Sequence, residues 1–128
     1  MIRFGRGRRQ PARGRRVVGV MNKTEARFER EVLRPMLEAG AVVWYAYEAV
    51  TFKIGPDCRY TPDFMGQRAD GILVAYEVKA GMRNGKPLVA DDAAVKIRVA
   101  AQQFPVLFEM RWPSSGGGWN TKTFQEEA

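Results

Sequence analysis

The sequence predicts an α/β protein in which helices flank a central mixed sheet. Three observations carry this prediction. The 128-residue length suits one domain with a modest apolar core. Helical and strand periodicities follow one another as helix, three strands, helix and strand, an order that lays helices against a sheet. The first three strands are joined by short connections and so should run antiparallel. The last strand follows a helix and can return parallel to the third.

Each element has its own local signal. Asn22-Lys23-Thr24-Glu25 has the spacing of a capping box, with Asn22 as N-cap and Glu25 three residues on. The helix it opens should run to about Ala39 and close at Gly40, with Pro35 arguing for a kink or an earlier end. Residues 42–54, VVWYAYEAVTFKI, are rich in aromatic and β-branched side chains and read as one strand. Gly55-Pro56-Asp57 makes a turn, and residues 59–65 form the second strand. A turn from Gly66 to Gly71 leads to the third, Ile72 to Lys79. Residues 81–90 read as loop. Asp91 or Asp92 caps a helix that ends near Phe104, before Pro105, and Val106 to Trp112 is the last strand. The SSGGG stretch at 114–118 reads as flexible.

Charge divides the chain in two. Residues 1–17 carry seven arginines (Arg3, Arg6, Arg8, Arg9, Arg13, Arg15 and Arg16) and no acid. That leaves 14 of the 21 basic side chains against 14 acidic ones, so the net charge of +7 belongs to this segment. Residues 1–20 therefore read as a basic Arg/Gly-rich tail and 21–128 as the folded domain. Arginines of this density suit phosphate contacts, which release counterions and give salt-sensitive affinity. A merely solubilising tail is the alternative.

Composition also excludes chemistry. A single cysteine, Cys58, precludes an intrachain disulfide and suits a reducing, cytoplasmic compartment. No apolar run is long enough for a membrane span, and the N-terminus lacks the apolar region of a secretory signal. The absence of histidine removes His-based triads, His-Cys zinc sites and nucleases with a histidine base. Catalysis would have to use carboxylates, lysine, tyrosine or a metal ion.

Acids do occur where sheet core is expected. Strand alternation puts Ile72, Val74, Tyr76 and Val78 on one face and Leu73, Ala75, Glu77 and Lys79 on the other. Asp63 lies near the end of the preceding strand, so the two acids can converge at one rim. Paired carboxylates there would hold a hard cation such as Mg2+. Lys79 would orient water or neutralise charge on a phosphate. A Glu-Lys pair at a frayed strand end is the structural alternative.

On the first helix, Ala26, Phe28, Val32, Leu33, Met36 and Leu37 form an apolar arc, with Glu25 and Glu29 near its centre. A carboxylate facing a core needs a partner. Glu25 is favoured over Glu29 as the functional acid, although periodicity does not separate them. On the second helix Ala93, Ala94, Ile97, Ala100, Ala101 and Phe104 make the buried stripe. Lys96 flanks it, either reaching a phosphate or snorkelling to solvent. Trp44, Tyr45, Tyr47 and Phe52 read as packing. Trp112 and Trp119 either wedge into branched DNA or cover an apolar edge.

Tyr60-Thr61-Pro62-Asp63-Phe64 followed by Tyr76-Glu77-Val78-Lys79 resembles the PD-(D/E)xK nuclease superfamily. The closest likeness is to small phage-encoded endonucleases related to Holliday-junction resolvases. The resemblance spans roughly residues 22–112 and implies a restriction-endonuclease-like core. It also implies Mg2+-dependent DNA cleavage, with Mn2+ as a substitute. Asp63 and Glu77 would bind metal, Lys79 would assist the water, and Glu25, matching the acid on that family's first helix, would complete the site. The helix with Val95-Lys96 and Gln103-Phe104-Pro105 resembles the one that follows the family motif, which gives Lys96 a role. DNA, branched DNA in particular, is the implied partner, a homodimer the implied state of a resolvase, and the host cytoplasm the implied location. A non-catalytic DNA-binding accessory protein of phage recombination or packaging is the competing reading. An RNA-binding ribosomal-type protein would explain the tail but not the acids.

Overall fold

In a computed structural model of the chain, the described residues are 2–4, 19–83, 86–87 and 91–125, with side chains over 19–81 and 93–125. Strand β1 (Ile2–Phe4) lies within the segment read as tail. It pairs antiparallel with β3, introduced below, placing Phe4 opposite Val50. Arg6, Arg8, Arg9, Arg13, Arg15 and Arg16 lie outside the described residues, as do the side chains of Arg3, Asp91 and Asp92.

Asn22 closes the capping box that the spacing predicts. Its Oδ1 accepts the Glu25 N–H at 2.8 Å, and Glu25 Oε1 accepts the Asn22 N–H at 2.9 Å. Helix α1 (Lys23–Phe28) continues through a π-helical turn, Glu29–Leu33, into α2 (Arg34–Glu38). Pro35 has no N–H to give and its ring crowds the preceding turn. The helix does not stop there but widens one turn earlier, where the Arg34 N–H reaches Glu29 O five residues back. The wider turn rotates everything after it. Phe28 and Leu33, five residues apart, are fully buried, whereas Leu37, expected in the apolar arc, is 41% exposed.

Residues 42–54 form two strands instead of one. The chain turns at Glu48, whose φ is 47°, and β2 (Val42–Tyr47) and β3 (Val50–Gly55) enter different sheets. The next expected strand also divides, into β4 (Cys58–Tyr60) and β5 (Phe64–Arg68), with Thr61-Pro62-Asp63 at the bend. Gly66, expected to begin a turn, lies inside β5. A Cβ there would stand 3.2 Å from the Trp44 carbonyl oxygen, so glycine permits the close approach of β2.

Strand β6 (Leu73–Val78) pairs antiparallel with β5 and parallel with β9 (Leu107–Pro113), the return that the intervening helix predicts. Part of the expected 81–90 loop pairs as β7 (Met82–Arg83) and β8 (Lys86–Pro87). Helix α3 is Asp91–Gln103. Beyond β9 the chain reverses through Gly117 and Gly118, at φ 95° and 74°, into β10 (Trp119–Thr123), a strand not anticipated from the sequence. The five-stranded sheet has the order β10-β9-β6-β5-β2, and β1, β3 and β4 form a second sheet.

The central sheet is covered on both faces. Phe28 and Leu33 pack on Phe64, Val74, Tyr76 and Val78. On the other side Ile97 and Ala100 of α3 pack with Ala75, Phe108, Met110 and residues of β3. Each large apolar side chain so buried contributes about 1.5–3 kcal/mol relative to exposure. The two cores hold the polar end of the central strands between them.

Candidate active site

The β5–β6 register sets Phe64 opposite Tyr76. The residue before Phe64 therefore meets the residues after Tyr76. Asp63 Oδ2 accepts the Val78 N–H at 2.8 Å, and the Asp63 carbonyl accepts the Glu48 N–H at 2.8 Å. Glu77 projects to the α3 side of the sheet. Its Oε1 accepts the Tyr60 hydroxyl at 2.6 Å, and its Oε2 lies 3.1 Å from Lys79 Nζ. Glu25 enters from the first turn of α1, and its Oε1 accepts the Tyr47 hydroxyl at 2.8 Å. Glu25, Asp63 and Glu77 are all buried.

Burial, then the negative charges of Glu77 and Glu25, push the Asp63 carboxyl well above the usual carboxylate range. The Val78 N–H opposes this but does not prevail. Three acids thus meet in a low-dielectric environment, with Lys79 as the cation on Glu77. Such a group gains from a proton or a bound cation.

Glu29 lies one helical turn further on in a different setting. The Tyr45 hydroxyl donates to its Oε2, and Arg34 donates to both carboxylate oxygens at 2.8 and 3.2 Å. The Tyr45 hydrogen bond, followed by Arg34, holds the Glu29 carboxyl below its usual range. Of the two acids on the expected apolar arc, Glu25 joins Asp63 and Glu77, and Glu29 forms a compensated pair.

A divalent cation fits part of this chemistry. The donors are carboxylate oxygens, the kind Mg2+ prefers, and Mg2+ commonly takes one or two protein carboxylates while keeping several waters. Among the described residues, no group of three or more His, Cys, Asp or Glu is spaced as a ready-made metal cage. Asp63 and Glu77, with Glu25 beside Asp63, are the residues that would hold such an ion.

Three further candidates stand on other elements. Lys96 is half-buried on α3, with no hydrogen bond or ion pair among the described residues. Trp119 packs edge-on against Phe28 at 5.0 Å between ring centroids, lies 5.4 Å from the Arg27 guanidinium and donates Nε1 to Glu31 at 3.1 Å. It covers the helix around Arg27, Phe28 and Glu31. Trp112 is buried in the α3-side core.

Tyr47, Glu48 and Tyr60 were not singled out as functional from the sequence. Tyr60 stands inside the quoted motif, three residues before Asp63, and that position was its only signal. Tyr47 read as packing, and nothing in its surroundings in the sequence marks Glu48 for burial.

Neither a family model nor a curated protein matches the sequence. Among solved structures, the chain is similar to that of Archaeoglobus fulgidus Hjc, a Holliday junction resolvase from an archaeal hyperthermophile. The TM-score is 0.51 and the identity 22%, over 81% of this chain and 77% of that one. The likeness is one of fold: an α/β core with a central mixed sheet flanked by helices. No helix among the described residues is long and apolar enough to cross a membrane.

Proposed function

We propose that this chain is a metal-dependent DNA endonuclease that hydrolyses phosphodiester bonds, with branched DNA such as a Holliday junction as its preferred substrate. The observation that carries the reading is the meeting of Glu25, Asp63 and Glu77 beside Lys79, at the strand positions where the nuclease motif falls. A pure binder of phosphate has no use for buried acids on its contact surface.

In this reading Asp63, Glu77 and Glu25 hold Mg2+, or Mn2+ in its place. When bound, the ion would polarise the phosphodiester and make a coordinated water more acidic. Lys79, held against Glu77, orients the attacking water or offsets charge developing on the phosphate. Tyr60 fixes the opposite oxygen of Glu77 and so limits how that carboxylate can turn. Lys96 on α3 and the seven arginines from Arg3 to Arg16 contact the phosphate backbone. The protein acts in the cytoplasm, and as a homodimer if it makes the paired symmetric cuts of a resolvase.

A second reading, a non-catalytic DNA-binding protein, draws on the lack of a ready-made metal cage among the described residues. One experiment decides between them. Purified protein is incubated with four-way junction, flap, single-stranded and linear duplex DNA in Mg2+, Mn2+, Ca2+ or EDTA. Cleavage in Mg2+ or Mn2+, strongest on the junction, is expected. Binding to every substrate without cleavage in any metal would replace the nuclease with the binder.

A further inference from the structure

The corner between β2 and β3 touches both sides of the acid group. Glu48 is 2% exposed at a backbone φ of 47°, a conformation that an L-residue other than Gly, Asn or Asp seldom adopts. Its N–H donates to the Asp63 carbonyl at 2.8 Å, and its Oε1 accepts the Gly19 N–H at 3.3 Å. Gly19 lies three residues before the N-cap Asn22. The adjoining Tyr47 hydroxyl lies 2.8 Å from Glu25 Oε1 and 3.3 Å from the Val20 carbonyl oxygen. Two consecutive residues therefore reach the Asp63 segment, the lead-in to α1 and the Glu25 carboxylate.

We propose that the Tyr47–Glu48 corner positions the metal-binding carboxylates: it ties the start of α1 to the Asp63 segment and sets where Glu25 stands relative to Asp63. This rests on the metal-site reading above. The left-handed backbone is what lets both side chains serve the same end of the fold. In a continuing strand, neighbouring side chains would point to opposite faces. Glu48 is a positioning residue, acting through Gly19 and Asp63, and Tyr47 acts through Glu25.

Glu48→Gly tests the side chain while keeping a residue that accepts the left-handed backbone. Glu48→Gln keeps an acceptor for Gly19, and Tyr47→Phe removes only the hydroxyl. Hydrogen exchange is followed on metal-free protein over residues 19–28, and Mn2+ affinity is measured by calorimetry. Exchange at Gly19 should accelerate about tenfold or more in Glu48→Gly, and exchange over 22–25 should accelerate in Tyr47→Phe. Both variants should bind Mn2+ about 10–100-fold more weakly, as expected for supporting partners of metal ligands. Glu48→Gln should recover most of both losses. Parent-like exchange and parent-like Mn2+ affinity in both Glu48→Gly and Tyr47→Phe would overturn the proposal. If the parent itself binds no Mn2+, the metal reading fails, and the exchange comparison alone decides whether the corner sets Glu25.

Discussion

Glu25 and Glu29 stand one turn apart on the same helix, and each accepts a hydroxyl from a tyrosine of β2, Tyr47 and Tyr45 respectively. Their surroundings then diverge. Glu29 is neutralised by Arg34, which grips both of its oxygens. Glu25 is turned toward Asp63, a carboxyl that burial and two acidic neighbours make hard to ionise. A fold that needed only a stable helix would have no reason to treat the two acids differently. The Glu29–Arg34 pair serves structure, and the group in which the Asp63 carboxyl is held above its usual range is where a cation or a reacting phosphate would be received.

The largest effect should separate the two acids. Asp63→Asn, Glu77→Gln and Glu25→Gln should each lower Mg2+-dependent cleavage by about 100-fold or more, with binding to DNA in Ca2+ retained. Glu29→Gln should change the rate by no more than a few-fold. Single-turnover assays on junction DNA would measure both. A dead Glu29→Gln beside a fully active Glu25→Gln would invert the comparison and move the site by one helical turn.

The acid cluster should also reveal itself as a cost to stability. A folded carboxyl whose pKa is raised holds its proton more tightly than the unfolded chain does. Stability from this group is therefore greatest below the unfolded value, about 3.9 for Asp, and declines as pH rises toward the folded value. Asp63→Asn removes that repulsion. At neutral pH without metal it should melt above the parent, and millimolar Mg2+ should stabilise the parent but not the variant. Thermal melts across pH 4–8 would show it. A variant that melts lower than the parent at every pH would mean that Asp63 is held there as a favourable anion.

Much of the geometry of this candidate site was legible in the sequence, for local reasons. Asp63, Glu77 and Lys79 follow from strand alternation and a short connection, and Glu25 from a capping box that needs only four residues. What was not legible depends on distant partners or unusual backbone. Nothing beside Glu48 in sequence announces a left-handed turn, because the usual markers, Gly and Asn, are absent there. The π turn before Pro35 invalidates a uniform 100° wheel, so Leu37 was misplaced while Phe28 was not. Strand β10 exists because it pairs with β9 across a glycine turn. A flexible-looking SSGGG stretch carries no sign of that pairing. The arginine segment was read as a tail, yet β1 within it pairs with β3. Phosphate contacts should therefore be tested by replacing Arg6, Arg8, Arg9, Arg13, Arg15 and Arg16 with Gln, leaving residues 2–4 in place. Each lost contact should flatten the salt dependence of duplex binding by up to about 0.9 in slope.

Asn22 bridges the comparison, because its side chain caps the helix while its N–H donates to the Glu25 carboxylate. Asn22→Ala should cost about 1 kcal/mol of stability. Asn22→Ser, which keeps the cap, should cost less. If Glu25 belongs to the site, Asn22→Ala should also slow cleavage more than an equal loss of stability elsewhere. Trp119→Ala, which removes packing on Phe28 and a hydrogen bond to the exposed Glu31 but leaves Glu25, Asp63 and Glu77 in place, is the control, with an expected loss of about 1–2 kcal/mol. Equal cleavage by the two variants at matched folded fraction would detach the cap from catalysis.

The smallest effect belongs to the compensated cluster, and its pH dependence should have the opposite sign. Glu29 has a lowered pKa, so its contribution to stability is present above the unfolded value, about 4.3 for Glu, and fades as pH falls through the folded one. Arg34 is about half exposed at 53%, so solvent screens the pair. Removing one partner should cost about 0.2–1 kcal/mol at low salt and less at high salt. Glu29→Gln should therefore melt slightly below the parent at pH 7 and approach it near pH 3, whereas Asp63→Asn should melt above the parent at pH 7. Two acids of one small domain, read in the same melts, would then move stability in opposite directions. If Glu29→Gln instead rose with Asp63→Asn at neutral pH, Arg34 would not be neutralising it, and Glu29 would share the repulsion that raises Asp63.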